Sequence, residues 1–479
     1  MNNIYTINDN GHFKGGYFVL NENRNNNPWL ERDDLFITLP NQNSIKRQII
    51  ELIRNSKSSI KLCSFIITDN EIYTELENVL KKTNVAVFIL TQLDESKFST
   101  SLLSEEEMIE NFNQVHLDIV KKLYSNGAHV RATRTAHAKF LISDREKGLL
   151  TSANITTPSL TNNPETGIFI ENPSALNHLD NLFDEIFQNG TEYTRFITAN
   201  SNKQFIVSRN QNISENAKAL KSDTKLKFTF EDHKQSLYNE LVKIIENSSG
   251  DVYLSTYSIV GLNQLPEFIS AIKSLIKKGN DVYIFSRGMN YRSDHIQGCT
   301  FLARLGCKIY GDVYNHSKGI ITPEKSMIFT ANIDGRHGLK NGFEVGLVLE
   351  KNQKVDMQAF IEWQLATAPY IFKISPLKSE YFDYYAYHCE LKETKPKQLP
   401  EDITIKIPKS NRGLRSIIDE LPCYYKIKNN KVSQIQVGHY SYVADFKDDT
   451  LTIGNQINNG EYNLESYLLK YRSAKIISE

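Results

Sequence analysis

Residues 137–154, HAKFLISDREKGLLTSAN, and residues 316–332, HSKGIITPEKSMIFTAN, repeat one spaced set of polar side chains. Each stretch opens with a histidine and a lysine two positions apart, ends at an asparagine, and is followed by a glutamate, Glu165 or Glu344. Fourteen residues separate the lysine from the asparagine in the first copy, and thirteen separate them in the second. The duplication indicates two half-sites that face each other around one phosphate.

The repeat extends well beyond these polar residues. In each half a helical pattern precedes a predicted strand, 60–65 or 252–257, and a further helix and strand follow. A third predicted helix ends at a glycine, Gly127 or Gly306, as a left-handed C-cap would. The histidine comes ten residues after that glycine in both copies. The pattern therefore predicts two α/β units of the same plan, each a β-α-β-rich sandwich with a mixed sheet.

The chain of 479 residues is too long for a single core. Polar stretches mark a connector and a linker, and alternating apolar residues after position 400 predict strands. The predicted fold class is α/β, with two tandem α-β-α sandwich units and a small β-rich C-terminal module. The predicted segments are an N-terminal arm 1–40, unit 1 at 41–195, a connector 196–227, unit 2 at 228–375, a linker 376–400 and the C-terminal module 401–479.

Charge and cysteine content indicate what kind of anion site and which cellular compartment to expect. Lys+Arg and Asp+Glu both total 56, so any anion site must be a local feature rather than the result of net charge. The 5 cysteines are scattered without a C-x-x-C pair, which is typical of a reducing compartment. The N-terminus lacks a secretory pattern, and no stretch approaches the roughly 20 apolar residues of a membrane span. We expect a cytoplasmic protein without a stable membrane anchor.

Side-chain alternation places the first two motif residues together. Successive side chains of a strand point to opposite faces, so His137 and Lys139 share one face while Ala138 packs behind. The same reasoning pairs His316 with Lys318. The motif asparagines each follow a predicted strand, where loops present functional groups.

These motifs resemble those of the phospholipase D superfamily, whose pattern is H-x-K, four residues, Asp, a gap, and G-S/T-x-N. The first copy fits through His137, Lys139, Asp144, Ser152 and Asn154. The second copy fits through His316, Lys318, Thr330 and Asn332, but has Pro323 and then Glu324 where the family has Asp. Because that Asp is mainly structural in the family, the departure concerns scaffolding more than chemistry. The resemblance covers about 41–375 and implies a phospholipase D-like fold for both units.

Cleavage of a phosphodiester requires a nucleophile, a proton donor for the leaving oxygen and positive groups around the phosphate oxygens. The resemblance implies that one histidine attacks phosphorus to give a phosphohistidine, while the other protonates the leaving alcohol. We predict that His137 is the nucleophile and His316 the acid, and that the motif lysines and asparagines surround the phosphate. Glu165 and Glu344 would hydrogen-bond a histidine of the same or the opposite half. No metal or other cofactor is expected, since no residue cluster has ligand spacing.

Four further residues are candidates for binding the substrate. Ser152 and Thr330 are predicted to bond the phosphate, and capping a turn is the equal alternative. Arg131 and Arg134 precede His137 and would lengthen a positive groove for a polyanion, unless they are solvated at a strand end.

Three functions remain open from the sequence. The first is a nuclease that cleaves DNA or RNA, because the layout resembles superfamily nucleases of bacterial restriction or phage defence; nucleic acid would then be the partner, with a further protein partner in a defence complex. The second is a phospholipase D or phosphatidyltransferase that acts on membrane lipid, which would favour exposed apolar loops near the site. The third is a catalytically weak protein that binds phosphate or nucleic acid.

Overall fold

The computed structural model describes residues 12–13, 15–93, 112–196, 205–207, 220–290 and 292–377, single residues between 380 and 387, and the backbone of eight strands near the chain ends. Within these ranges there are two ten-stranded sheets, one eight-stranded sheet and a short pair of strands, Ile259–Val260 with Ile333–Asp334. The predicted connector 196–227 and linker 376–400 fall largely outside the described residues.

The first unit is a ten-stranded mixed sheet with helices against it. Its three parallel strands are neighbours, and the remaining strands pair antiparallel. The strand order is Phe205–Val207, Tyr193–Phe196, His129–Ala132, Ala86–Thr91, Ser59–Cys63, Phe140–Ser143, Lys147–Thr151, Glu165–Phe169, Phe36–Leu39 and Gln42–Asn43. The helices are Ser44–Asn55, Asn70–Lys82, Phe112–Ser125, Thr157–Thr161 and Pro173–Asn189.

The second unit repeats this plan, with three parallel strands at the same place in the sheet. The strand order is Lys234–Gln235, Leu226–Phe230, Phe343–Val348, Ser326–Phe329, Gly319–Ile321, Val252–Ser255, Val282–Arg287, Lys308–Asp312, Tyr370–Ile374 and Gly16–Leu20. The helices are Ser236–Glu246, Pro266–Lys277, Ser293–Leu305 and Lys351–Thr367, with a 3-10 turn at Leu262–Gln264.

The N-terminal arm contributes one strand to each of the three large sheets, which its sequence did not reveal. Ile4–Ile7 pairs antiparallel with Ser473–Ser478, Gly16–Leu20 forms an edge of the second unit, and Phe36–Leu39 belongs to the first unit. The other strands of the eight-stranded sheet are Asp402–Ile407, Cys423–Lys428, Lys431–Val437, Tyr440–Lys447, Thr450–Ile457 and Ser466–Leu468. The fold class predicted from the sequence is confirmed.

The helix boundaries follow from local chemistry. Asp69 caps the helix Asn70–Lys82, because its carboxylate accepts the backbone N–H groups of Glu71 and Ile72. The third helix of each unit is followed by a glycine in the left-handed region, Gly127 at φ 102° and Gly306 at φ 111°. A side chain would be strained at both positions, so the paired glycines fix where the chain turns back into the sheet.

The two units share one apolar core. Two further clusters of buried residues lie within single units. The shared cluster contains Phe140 and Phe183 of the first unit with Phe343 and Phe360 of the second. The ring centroids of Phe140 and Phe343 are 6.4 Å apart. The backbone N–H of Phe343 donates to the carbonyl of Thr135 at 2.7 Å, so the units are joined directly beside the first motif.

The motif aspartate has the scaffolding role that the resemblance implied. Asp144, at φ 57°, accepts hydrogen bonds from the backbone N–H groups of Lys57, Ser58 and Ser59 at 2.7–3.1 Å. The second unit has no aspartate at this position, and Glu324 makes a similar contact. Its carboxylate accepts the N–H of Ser249 at 3.1 Å. Partial burial would raise the pKa of Asp144, but the N–H groups of Ser59, Lys57 and Ser58 lower that pKa to about 2.

We expect Asp144→Asn to lower the free energy of unfolding by about 1–2 kcal/mol at pH 7, because one carboxylate then no longer accepts several N–H groups. Asparagine tolerates the left-handed backbone, so the loss reports the hydrogen bonds and not strain. The depressed pKa means that the stabilisation is present above the ordinary aspartate pKa and is lost as pH falls through about 2. Urea unfolding at several pH values measures the difference, with the exposed Glu22→Gln as control. An equal loss at pH 2 and pH 7 would contradict this account.

Candidate active site between the two units

The first two residues of each motif lie in an extended segment just before a strand, not within it. His137 and Lys139 precede the strand Phe140–Ser143, and His316 and Lys318 precede the strand Gly319–Ile321. All four side chains are less than a tenth exposed. Ala138 lies in the core that the two units share, so the predicted alternation of the side chains is present.

Each histidine is held by the glutamate of the opposite unit. His137 Nδ1 lies 2.6 Å from Glu344 Oε1, and His316 Nδ1 lies 2.7 Å from Glu165 Oε1. The sequence had left open whether the glutamate would come from the same half or the other half. The backbone repeats the exchange, because the N–H of His316 donates to the carbonyl of Pro164 at 3.0 Å. The two half-sites therefore form one site, and neither unit completes it alone.

Ser152 and Thr330 orient the two glutamates. Ser152 Oγ donates to Glu165 Oε2 at 2.5 Å, and Thr330 Oγ1 donates to Glu344 Oε2 at 2.5 Å. Each hydroxyl oxygen also accepts a backbone N–H, that of Thr166 or Val345. The hydroxyl protons are thus engaged with carboxylates, and neither hydroxyl caps a turn through these bonds. Contact of the two hydroxyls with a phosphate stays a prediction.

The motif lysines lie beside their own histidines. Lys318 Nζ donates to the carbonyl of His316 at 2.7 Å, and Lys139 Nζ donates in the same way to the carbonyl of His137. Both ammonium groups are almost completely buried, at 1% exposure or less. A cation in such a dry environment attracts an anion far more strongly than a solvated one does. The pair therefore supplies the positive charge that a bound phosphate would need.

The remaining motif groups also reach the site interior. Asn154 and Asn332 follow the strands Lys147–Thr151 and Ser326–Phe329, as the sequence predicted, and both are buried. His137 Nε2 and Asn332 Oδ1 are buried atoms without a hydrogen-bond partner among the residues that the structure describes. Buried polar atoms are seldom left without a partner, so these two mark a place for a polar ligand.

Burial controls the protonation of the four paired groups. It lowers the pKa of His137 and, further, that of His316, and the charges of Lys139 and Lys318 act in the same direction. Burial raises the pKa of Glu165 to about 8. Burial would also raise the pKa of Glu344, but the adjacent His137 outweighs it and lowers that pKa. The motifs are alike in geometry, yet the pKa of Glu344 is lowered and that of Glu165 is raised.

An aromatic residue that sequence reasoning missed lies beside each histidine, and one buried cation lies next to the second of these rings. Phe65 and Tyr257 follow the first parallel strand of their units, with ring centroids 5.5 Å from His137 and 5.2 Å from His316. The guanidinium of Arg287 lies 5.2 Å above the Tyr257 ring, and Arg287 is completely buried. Alignment of the two units places the neutral Gln92 at the position of Arg287. The internal repeat was the signal that could have revealed this difference.

The structure does not bring Arg131 and Arg134 to the histidines through any described contact. The guanidinium of Arg131 donates to the carbonyl of Phe187 at 2.5 Å and lies over the Phe187 ring. Arg134 Nε lies 3.3 Å from Glu192 Oε2, and the side chain is half-exposed. Substrate binding by either arginine stays a prediction.

Two other histidines occupy equivalent structural positions. His116 Nδ1 accepts the N–H of Ile67, and His295 Nδ1 accepts the N–H of Ile259. Burial lowers the pKa of each ring to about 4.

Among the described residues there is no group of three or more His, Cys, Asp or Glu side chains arranged to hold a metal ion. No described helix is both long enough and apolar enough to span a membrane.

The raised pKa of Glu165 predicts the pH dependence of any reaction that uses this site. A protonated Glu165 donates to His316 Nδ1 and so leaves the ring proton on Nε2, where it can be given to a leaving group. Because that carboxyl loses its proton above about pH 8, kcat/KM should fall above pH 8. Glu165→Gln cannot ionise, so its slower reaction should lack this decline.

The pH profile of kcat/KM with a chromogenic phosphodiester tests this. Glu344→Gln is the matched control, because it alters the equivalent pair and should keep the decline near pH 8. A decline that persists in Glu165→Gln would exclude this carboxyl as its source.

Comparison with known proteins agrees with the geometry. Residues 49–187 match the family model described as "Cardiolipin synthase, PLD-like domain". The phosphatidylserine synthase of Haemophilus influenzae Rd KW20 is a structural relative with a TM-score of 0.51 and 13% identity, over 80% of this chain and 97% of that one. At that identity the likeness concerns the fold.

Two other solved structures are similar over less of the chain. Polyphosphate kinase from Porphyromonas gingivalis has a TM-score of 0.44 and 15% identity, over 69% of this chain and 50% of that one. Nuc, a phospholipase D family member from Salmonella typhimurium, has a TM-score of 0.27 and 17% identity, over 36% of this chain and 97% of that one. No curated protein sequence matches the chain. The match to the family model shows that residues 49–187 form a phospholipase D-like domain, and the second motif repeats the spaced residues of the first in the second unit.

Proposed function

We propose that the protein is a metal-independent phosphodiesterase that cleaves DNA or RNA through a phosphohistidine intermediate. The observation that carries the chemistry is the crossed pairing of His137 with Glu344 and of His316 with Glu165. It puts two imidazoles and two lysines into one buried site. A nucleophile, an acid and compensating positive charge are thereby present together.

His137 is the nucleophile in this proposal. Its Nδ1–H donates to the ionised Glu344, which leaves the lone pair on Nε2. That nitrogen is buried and has no partner among the described residues. Attack forms the Nε2–P bond while the bond from phosphorus to the leaving oxygen breaks. The carboxylate stabilises the positive charge that develops on the ring.

His316 is the acid in the first step. It gives its Nε2 proton to the leaving oxygen and takes a proton at Nδ1 from Glu165, so that no isolated charge is left on the ring. In the second step a water molecule attacks phosphorus and gives a proton to His316 Nε2, while the proton on His316 Nδ1 returns to Glu165. The N–P bond then breaks and restores His137.

The charge on the phosphate oxygens is balanced by groups that lie between the units. Lys139 and Lys318 are buried cations from opposite units, and each lowers the pKa of His316 through its charge. Their fields therefore act on the same small volume. The amides of Asn154 and Asn332 add neutral hydrogen-bond donors. Removal of one such donor typically slows turnover about 10²-fold or more.

The choice of nucleic acid as substrate has support from the surface. An enzyme that works on a lipid surface favours a contiguous exposed apolar patch. In the described ranges the exposed large apolar residues are few, and only Ile374 and Leu377 are close in sequence; the others are Leu30, Val115, Phe301 and Val355. Lipid is the second candidate, because one structural relative is named a phosphatidylserine synthase. A protein partner in phage defence is a further part of the proposal.

The roles of the two histidines can be separated by the leaving group. An activated phenolate leaves without a proton, whereas the alkoxide of a sugar needs one. We expect His316→Ala to retain far more activity towards bis(p-nitrophenyl) phosphate than towards an oligonucleotide. His137→Ala should lose both activities, because no covalent step remains. If His137→Ala retained activity towards bis(p-nitrophenyl) phosphate and His316→Ala lost both activities, the two roles would be exchanged.

The substrate class is tested with labelled single- and double-stranded DNA, RNA and phosphatidylcholine in the presence of EDTA. We expect cleavage of nucleic acid that EDTA does not abolish. Lys139→Ala and Lys318→Ala should each lower kcat about 10²-fold or more, and the exposed Lys147→Ala should not. Turnover of lipid alone would overturn the nuclease proposal, and an unchanged rate would remove that lysine from the site.

A further inference from the structure

A separate cavity of about 310 Å³ lies at the junction of the two units, next to the Glu165–His316 pair. Its wall includes Pro164, which directly precedes Glu165, and Tyr314, which lies two residues before His316. The carbonyl of Pro164 accepts the backbone N–H of His316 at 3.0 Å. The cavity wall therefore includes a residue one position from Glu165 and a residue two positions from His316.

Four aromatic residues and four prolines make up about half of the wall of this cavity. Trp29, Trp363, Phe285 and Tyr314 line it, together with several prolines. The Trp29 and Trp363 rings meet at an angle of 61°, with centroids 5.8 Å apart. Flat, rigid walls of this type suit a flat aromatic ligand, because stacking on them restricts few rotatable bonds.

The cavity also contains two polar groups without partners. Trp29 is only 8% exposed, and its Nε1 has no hydrogen-bond acceptor among the described residues. Gln42 Oε1 is likewise buried without a donor. By contrast, Trp363 Nε1 donates to the carbonyl of Asn27 at 2.8 Å. One donor and one acceptor are thus left for whatever enters.

We propose that this cavity binds one unpaired nucleobase of the substrate strand next to the phosphate that is cleaved. Every nucleobase carries an acceptor and a donor on its edge, which match Trp29 Nε1 and the Gln42 amide. An acyl chain would fill the aromatic space but would leave both polar groups unsatisfied, at a cost in affinity. The inference rests on the proposed nuclease function and narrows it to single-stranded or locally unpaired substrates, since a stacked base cannot enter a cavity of this kind.

The test uses the full chain with His137→Ala, which prevents turnover. The chain contains only two tryptophans, Trp29 and Trp363, so intrinsic fluorescence reports on this cavity directly. Three ligands are titrated: a single-stranded oligonucleotide, an abasic oligonucleotide with the same number of phosphates, and short-chain phosphatidylglycerol. We expect saturable quenching by the intact strand alone. In competition against a fluorescently labelled oligonucleotide, the Kd of the intact strand should be roughly tenfold lower than that of the abasic strand.

Two substitutions then assign the affinity difference to the polar groups. Trp29→Phe keeps a ring and removes the N–H, and Gln42→Leu removes the amide. Each should reduce the advantage of the intact strand over the abasic strand about two- to tenfold. The exposed Gln114→Leu is the control for Gln42→Leu and should keep the full advantage.

The outcomes separate this inference from the proposed function. If the wild type cleaves nucleic acid but the abasic strand binds as tightly as the intact strand, the base cavity is wrong and the nuclease proposal stands. If the intact strand quenches and binds more tightly but is not cleaved by the wild type, the cavity stands and the nuclease proposal is wrong. Quenching by phosphatidylglycerol alone would overturn both.

Discussion

The exchange of glutamates between the units is the constraint on which the site depends. Glu165 and Glu344 are at most 1% exposed, and each has its histidine partner on the other unit. Separation of the units would remove the histidine partner of each glutamate, so the two pairs favour association of the units. The same contacts that hold the imidazoles therefore hold the units together. This couples catalytic geometry to the docking of the two halves.

The near-symmetry of the site does not make its halves equivalent. The sheets repeat strand by strand, but Phe65 is matched by Tyr257 and the neutral Gln92 by the buried Arg287. A buried cation near one histidine makes protonation of that ring harder and favours storage of its proton on the neighbouring carboxyl. Reaction through a covalent intermediate needs a base on one side and an acid on the other. In this duplicated fold the two copies differ in charge beside their histidines, because Arg287 stands where the first unit has Gln92.

Much of this arrangement could be predicted from the sequence because it is encoded locally. The helices and strands, the paired glycines and the spacing of the His, Lys, Asn and Glu residues are all periodic or short-range features. What could not be predicted depends on tertiary contacts. The choice between opposite-half and same-half glutamates is decided by how the sheets dock, and spacing alone does not contain it. The N-terminal arm was unpredictable for the same reason, since its three strands pair with segments as distant as Ile374 and Ile477.

The hydroxyls of Ser152 and Thr330 illustrate how a motif residue can orient a neighbouring carboxylate. Each hydroxyl donates to the second oxygen of its glutamate, so the first oxygen is left to face a histidine across the unit boundary. A carboxylate fixed at both oxygens cannot rotate, and the imidazole that it contacts is restricted to one orientation. Small side chains with one hydroxyl suffice for this purpose, which explains why the motif accepts either Ser or Thr. The hydrogen-bonded series Ser152, Glu165, His316 thus runs from one unit into the other, and the position of the His316 ring is set by a strand of the opposite sheet.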